Sequence, residues 1–308
     1  MASSHDSTVS PLTASRSVAA DFAELTKPGV TGLILFSTVV GFYLATSGSL
    51  DYTLLLHTLI GTGLVAGGTA ALNQYWERES DALMNRTRNR PLPAGRMAAW
   101  KALAFGIFLA VAGTTYLVIL VNALAAILAA ATLISYLFFY TPLKTRTPHS
   151  TLVGSFPGAI PPLIGWAAVA GDLPAAAWVL YAILFFWQFP HFLAIAWLYQ
   201  DDYARANIVM LPVAEPDGHS TARQIVLYTL ALLPFSLAPT WLGVTGNIYL
   251  VGALICGVAF LCVGVSTARG KTRADARRPL RASVLYLDRK STRLNSSHVS
   301  ESRMPSSA

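Results

Sequence analysis

Every one of the 22 Lys and Arg residues in this 308-residue chain falls in, or at the margin of, alternate gaps between its long apolar runs. With the N-terminal stretch counted as the first gap, the odd-numbered gaps hold them all and the even-numbered gaps hold none. Loops on the cytoplasmic side of a membrane are enriched in Lys and Arg. The alternation therefore fixes both a topology and an orientation. In lipid each backbone polar group must be satisfied within the spanning element, and runs of about 20 residues do this as helices. The expected fold is all-α, a polytopic membrane protein with spans near 30–46, 52–75, 98–118, 122–140, 152–170, 175–199, 222–243 and 248–268.

Composition agrees. The chain is 54% hydrophobic and 12% charged, about half the charge of an average soluble domain. Its net charge of +7 follows from the basic loops and requires no nucleic acid partner. Cys256 and Cys262 share one apolar run and form neither a disulfide framework nor a metal motif. Residues 1–27 read as a polar, mobile cytoplasmic tail, with the loops at 76–97, 141–151, 200–221 and 269–281 on the same side, the inner face of the cell membrane. Gly63 and Gly67, and Gly154 and Gly158, are spaced for close helix packing. Pro157, Pro161, Pro162, Pro190 and Pro234 are expected to kink their spans. Pro279 to Leu287 begins like a ninth span and stops, so the membrane domain is taken as 28–287. Residues 288–308, polar and Ser-rich, read as a non-native or disordered tail.

The chemistry gathers on the basic side. Asn73, Glu77 and Asp81 recur every four residues and form one stripe if the second helix continues that far. Hard oxygen ligands at a membrane boundary suit Mg²⁺, which binds one or two carboxylates together with substrate phosphate. Arg86, Arg88, Arg90 and Arg96 follow closely, and arginine forks match phosphate oxygens. A positive-inside loop would supply arginines anyway. The carboxylates are the informative part, because acids at a membrane edge are costly and usually functional. A second acidic site, Asp201 and Asp202, ends the sixth span. His191 lies eleven residues before Asp202, about three helical turns, and so shares its face; Asp201 is turned away by about 100°. Two acidic sites on separate helices suit a metal-bridged diphosphate. A lone histidine in a span is more often a hydrogen-bonded packing residue than a ligand; a place on the Asp202 face brings the two readings of His191 level. Tyr75, Tyr140 and Phe186 are candidate linings for an apolar channel.

These residues resemble the UbiA superfamily of intramembrane prenyltransferases, and within it the branch that acts on haem. The likeness covers about 20–287. It is carried by Leu25-Thr26-Lys27-Pro28, the Asn73/Glu77/Asp81 stripe with Met84-Asn85-Arg86-Thr87, Arg90-Pro91-Leu92-Pro93, Tyr140-Thr141 with Leu143-Lys144, Gly158 with Pro161-Pro162, Trp187-Gln188 with Pro190-His191-Phe192, and Asp202-Tyr203. The resemblance implies a ring of nine transmembrane helices around a cavity, of which eight are complete here and the ninth is truncated. It implies farnesyl transfer from farnesyl diphosphate to a vinyl group of haem b. Asn73, Glu77, Asp81, Asp201 and Asp202 would then hold Mg²⁺, Arg86, Arg90 and Lys144 would neutralise diphosphate, and His191 would orient the haem. Haem A synthase or terminal oxidase assembly factors are the protein partners it implies. Gln200, Thr145-Arg146 and Asn207-Ile208-Val209 depart from the family pattern. Two other readings stay open: a prenyltransferase with an aromatic, quinone-precursor acceptor, and a haem-handling membrane protein or transporter without chemistry.

Overall fold

The computed structural model describes residues 17–270, 272 and 275–287, which contain no strand. A short helix α1 (Val18–Leu25) precedes α2 (Pro28–Ala45), α3 (Tyr52–Leu83) and α4 (Ala99–Leu120). α5 (Ala123–Ile134) runs through a π-helical turn, Ser135–Tyr140, into α6 (Thr141–Leu143). α7 (Ser150–Gly158) and α8 (Pro161–Ala170) form one span in two pieces, followed by α9 (Ala175–Leu198). After the short α10 (Gln200–Arg205) and α11 (Leu211–Ala214) come α12 (His219–Trp241) and α13 (Asn247–Gly270). Residues 277–287 form a last helix, α14. Among the described residues, eight spans are long and apolar enough to cross a membrane, matching the eight runs. The proposed tail at 288–308 lies outside the described residues.

Local chemistry sets the boundaries. Asp51 and Asn122 cap α3 and α5 by accepting from Leu54 N and Ala125 N, each at 2.9 Å. Pro28 and Pro161 stand at helix starts, where a missing N–H costs nothing. Gly171, at φ 71°, ends α8 in a conformation that a Cβ would strain. The prolines do not act alike. Pro157 and Pro161 divide the fifth span, whereas α9 runs on through Pro190 and α12 through Pro234.

Residues 17–25 are not the mobile tail that their polarity suggests. Ser17 Oγ accepts from Ala20 N at 3.2 Å and starts α1, whose Asp21 and Leu25 are buried. Arg96 holds this helix to the loop after α3, donating to Asp21 Oδ1 at 2.9 Å and Glu24 Oε2 at 3.2 Å. The partner is 75 residues away, so no local sequence signal announces the helix.

The spans follow one another around a cavity. α3 packs on α2 and α4, α4 on α5, α5 on α8, α8 on α2 and α9, α9 on α12, and α12 on α13. α14 leans on the same wall: Trp187 Nε1 donates to Ser283 O at 2.7 Å, and the Tyr286 hydroxyl bonds that of Ser236. Lipid gives helices little hydrophobic reason to associate, so small residues that permit close contact carry much of the packing. A Cβ on Gly165 would strike Thr38 O, and one on Gly41 would strike Pro162 O, so α2 and α8 cross backbone to backbone. Gly68 similarly sits where a Cβ would lie 2.7 Å from Ala110 N of α4. The expected pair Gly63 and Gly67 is not this crossing. A Cβ at Gly63 would meet only Leu35 at 3.7 Å, an ordinary contact, whereas one at Gly67 would lie 3.3 Å from Thr26 Cγ2, so the second of the pair is closely packed and the first is not. Gly154 and Gly158 do make close contacts, with the Tyr140 ring and the Gln188 side chain.

Candidate active site

α3 continues beyond the apolar run to Leu83, so Asn73, Glu77 and Asp81 form the stripe that their spacing requires. Asn73 and Asp81 are each only 1% exposed. A buried carboxylate without a partner is strongly disfavoured, and each member of the stripe is met by a cation from another segment. Lys27 Nζ donates to Asn73 Oδ1 at 2.7 Å, Lys144 Nζ to Glu77 Oε1 at 2.6 Å, and Arg90 Nη1 to Asp81 Oδ2 at 2.7 Å. Asn73 Nδ2 also donates to Thr141 Oγ1 at 3.4 Å.

The loop after α3 joins the two acidic sites. Thr87 Oγ1 donates to Asp81 O at 2.8 Å, and the Arg86 backbone N–H donates to Asp202 Oδ2 at 3.3 Å. One turn of loop therefore touches both aspartates. The Arg86 guanidinium lies 4.9 Å from the Tyr199 ring and 5.4 Å from the Tyr203 ring, and donates to Tyr203 Oη at 3.1 Å. Asp202 also pairs with Arg205. Asp202 is buried whereas Asp201 is exposed, in the relation expected from a helix. The Asn207-Ile208-Val209 departure still closes on the site, with Val209 N donating to Lys144 O at 2.7 Å.

His191 and Asp202 do not share a helix. α9 stops at Leu198 and Tyr199 leaves helical geometry before α10 begins. The eleven-residue spacing therefore does not place them on one face. Asp202 joins the acidic stripe through Arg86, while His191 lines the cavity below.

That cavity, about 380 Å³, runs beneath the polar layer. Lys27, Tyr136 and Tyr140 border it, and Val65, Ala129, Pro161 and Ile164 line it with apolar surface. Lys27 thus belongs to both parts of the site, although in the sequence it stands out only within Leu25-Thr26-Lys27-Pro28. Its detectable signal was a lone cation at the mouth of the first apolar run. Lys27 caps the start of α2 in the left-handed region, at φ 47°. Burial, and then the Arg90 guanidinium, push its ammonium pKa down to about 8. Lys144 is also buried, which by itself would lower its pKa; the adjacent Glu77 carboxylate outweighs this and holds it well above the ordinary lysine value. Of the other lining candidates, Tyr140 does face the cavity. Phe186 opens into a separate groove beside Arg223, and Tyr75 packs under Arg78 at 4.9 Å.

Five cationic side chains, Lys27, Arg86, Arg90, Lys144 and Arg205, surround the three carboxylates of Glu77, Asp81 and Asp202. The excess of positive charge suits a polyanion bound together with divalent metal. Among the described residues no three His, Cys, Asp or Glu side chains converge as a closed metal cage. Hard oxygens spaced one turn apart fit Mg²⁺, which keeps waters and shares substrate phosphate.

Comparison with known proteins places this architecture. The model of the UbiA prenyltransferase family matches residues 34–286. The protoheme IX farnesyltransferase of Solibacter usitatus (strain Ellin6076) is 56% identical over 276 residues, covering 87% of this chain and 94% of its own. A structure solved in work on digeranylgeranylglyceryl phosphate synthase in membranes superposes with a TM-score of 0.78 at 15% identity, over 92% of this chain and 99% of that one. A UbiA homolog from Archaeoglobus fulgidus bound to DMAPP and Mg²⁺ gives a TM-score of 0.67 at 13% identity, over 89% and 99% of the two chains.

Proposed function

The chain belongs to the UbiA prenyltransferase family, and we propose that it farnesylates protohaem IX at a vinyl group, releasing diphosphate and giving haem O. It is a prenyltransferase embedded in a membrane by several spans. The observation that carries the site assignment is the loop Met84–Arg90, which holds Asp81 at one end and Asp202 at the other beside a cavity suited to an apolar tail.

Asn73, Glu77, Asp81 and Asp202 would hold Mg²⁺, with Asp201 at the exposed rim. When bound, the metal neutralises diphosphate oxygens and makes diphosphate a better leaving group. Lys27, Arg86, Arg90 and Lys144 bind the remaining oxygens and stabilise the charge that develops as the allylic C–O bond breaks. The apolar walls keep bulk water from the farnesyl cation. The terminal vinyl carbon of haem attacks that cation. A water molecule then adds to the carbon next to the ring and loses one proton, leaving a hydroxyethylfarnesyl group. His191, on the cavity wall below Lys27, orients the haem. The excess of Lys and Arg in these loops supports a cytoplasmic orientation of the site.

The test is incubation of the purified full chain with farnesyl diphosphate, haem and Mg²⁺. Diphosphate release accompanied by a farnesylated haem is expected. Release only with a phenolic acceptor would transfer the site to quinone-type chemistry. No release with any acceptor would leave a haem-handling protein.

A further inference from the structure

His191 is gripped by groups from two helices. Its Nδ1 lies 2.8 Å from Ser283 Oγ of α14. The Ser283 hydroxyl itself donates to Leu280 O at 2.7 Å. Trp187, one turn before His191, stacks on the imidazole with centroids 4.8 Å apart and planes 19° apart, and its Nε1 donates to the Ser283 carbonyl at 2.7 Å. Ser283 is fully buried.

These contacts determine where a proton sits. A serine hydroxyl has one proton and two lone pairs. With its proton given to Leu280 O, Ser283 Oγ can only accept from His191, so Nδ1 must carry a hydrogen. A neutral imidazole has one N–H, and Nε2 is left with its lone pair. The ring borders the cavity, while its Nδ1 edge is tied down at α14.

We infer that Ser283 is a positioning residue: it fixes His191 as the Nδ1–H tautomer and presents an unprotonated Nε2 to the cavity, as an acceptor or a ligand for a metal carried by the substrate. The identity of that substrate as haem rests on the proposed function, whereas the tautomer does not. The same hydrogen bonds make α14 part of the site, since Leu287 also lines the cavity. Partners that orient a ligating histidine typically alter metal affinity roughly 10–100-fold when removed.

The experiment is ¹⁵N NMR of the full chain in lipid nanodiscs at neutral pH with imidazole-labelled histidine, the His191 signals being assigned with His191→Gln. A protonated Nδ1 and a bare Nε2 are expected in the wild type and in Ser283→Thr, and a tautomer mixture in Ser283→Ala. A proton on Nε2 in the wild type, or an unchanged spectrum in a folded Ser283→Ala, would overturn the assignment. The wild-type spectrum decides even if the alanine variant does not fold. Ferric haem is then added to the same samples and histidine ligation read from the optical spectrum. Affinity should fall roughly 10–100-fold in Ser283→Ala, survive in Ser283→Thr and vanish in His191→Gln. A wild type with the expected tautomer that never ligates haem would sink the haem reading and leave the role of Ser283 in orienting the ring standing.

Discussion

Asp81 pairs with Arg90 and Asp202 with Arg205, so the carboxylates and the cations proposed to receive diphosphate lie side by side. On the proposed function, phosphate oxygens would give those cations new partners and free the carboxylates for metal. On this account Asp81→Asn or Asp202→Asn should lower turnover roughly 10²–10³-fold, the scale of losing one preorganised electrostatic contact, while the thermal melting profile shows a folded protein. Diphosphate release measured beside that profile checks it, and full activity in either variant would remove that carboxylate from the mechanism. Lys27 adds a pH dependence. Its pKa near 8 means that the free enzyme loses this charge as pH rises through 8. Diphosphate prefers the ammonium, so binding takes up a proton there and affinity falls with rising pH. KM for farnesyl diphosphate should increase above pH 8 in the wild type and lose that inflection in Lys27→Arg, whose charge persists. The stripe was legible because helical spacing alone aligns Asn73, Glu77 and Asp81. The role of Lys27 was not, because it depends on a left-handed residue and a contact 46 positions away.

At the level of helices, hydropathy located every span to within a few residues, apart from the end of α3, which carries the polar stripe beyond the apolar run. What it could not give is which faces meet. Glycine spacing pointed to Gly63 and Gly67, but the tightest crossing joins Gly41 and Gly165 to opposing carbonyls. The contact is between residues more than 100 positions apart, and a spacing rule reads one helix at a time. Gln188 is a second example. Pro157 and Pro161 interrupt the fifth span, and Gln188 Nε2 donates to Ser155 O at 3.2 Å across from α9, satisfying a carbonyl near that break. Its place in a recognisable motif gave no hint of this packing role. Gly165→Ala should therefore lower the melting temperature in detergent, since overpacking costs about 1–3 kcal/mol or more where backbone must move. Gly63→Ala, with ordinary contact distances and a helix-propensity gain of about 1 kcal/mol, should melt at the wild-type temperature or above it. Equal melting of the two variants would show that α2 and α8 do not cross through these glycines.

For the whole molecule, one asymmetry links topology to chemistry. The loops that carry Arg86, Arg90, Lys144 and Arg205 meet at one end of the helical ring, and the turns at Ser47-Gly48, Asn122, Gly171-Asp172 and Gly246-Asn247 lie at the other. A water-soluble head group must reach the first end, and its apolar tail can extend from there into the cavity without crossing a charged layer. If lysine and arginine set the orientation, the basic end faces the cytoplasm, where prenyl diphosphates would be supplied to it. Single cysteines test this in a Cys256→Ala, Cys262→Ala background, necessary because Cys262 is exposed. A membrane-impermeant maleimide added to intact cells should label Asp172→Cys and leave Arg146→Cys unlabelled until the cells are opened. Labelling of Arg146→Cys in intact cells would invert the protein. The substrates would then have to approach from outside, and the positive charge of these loops would need an explanation other than topology.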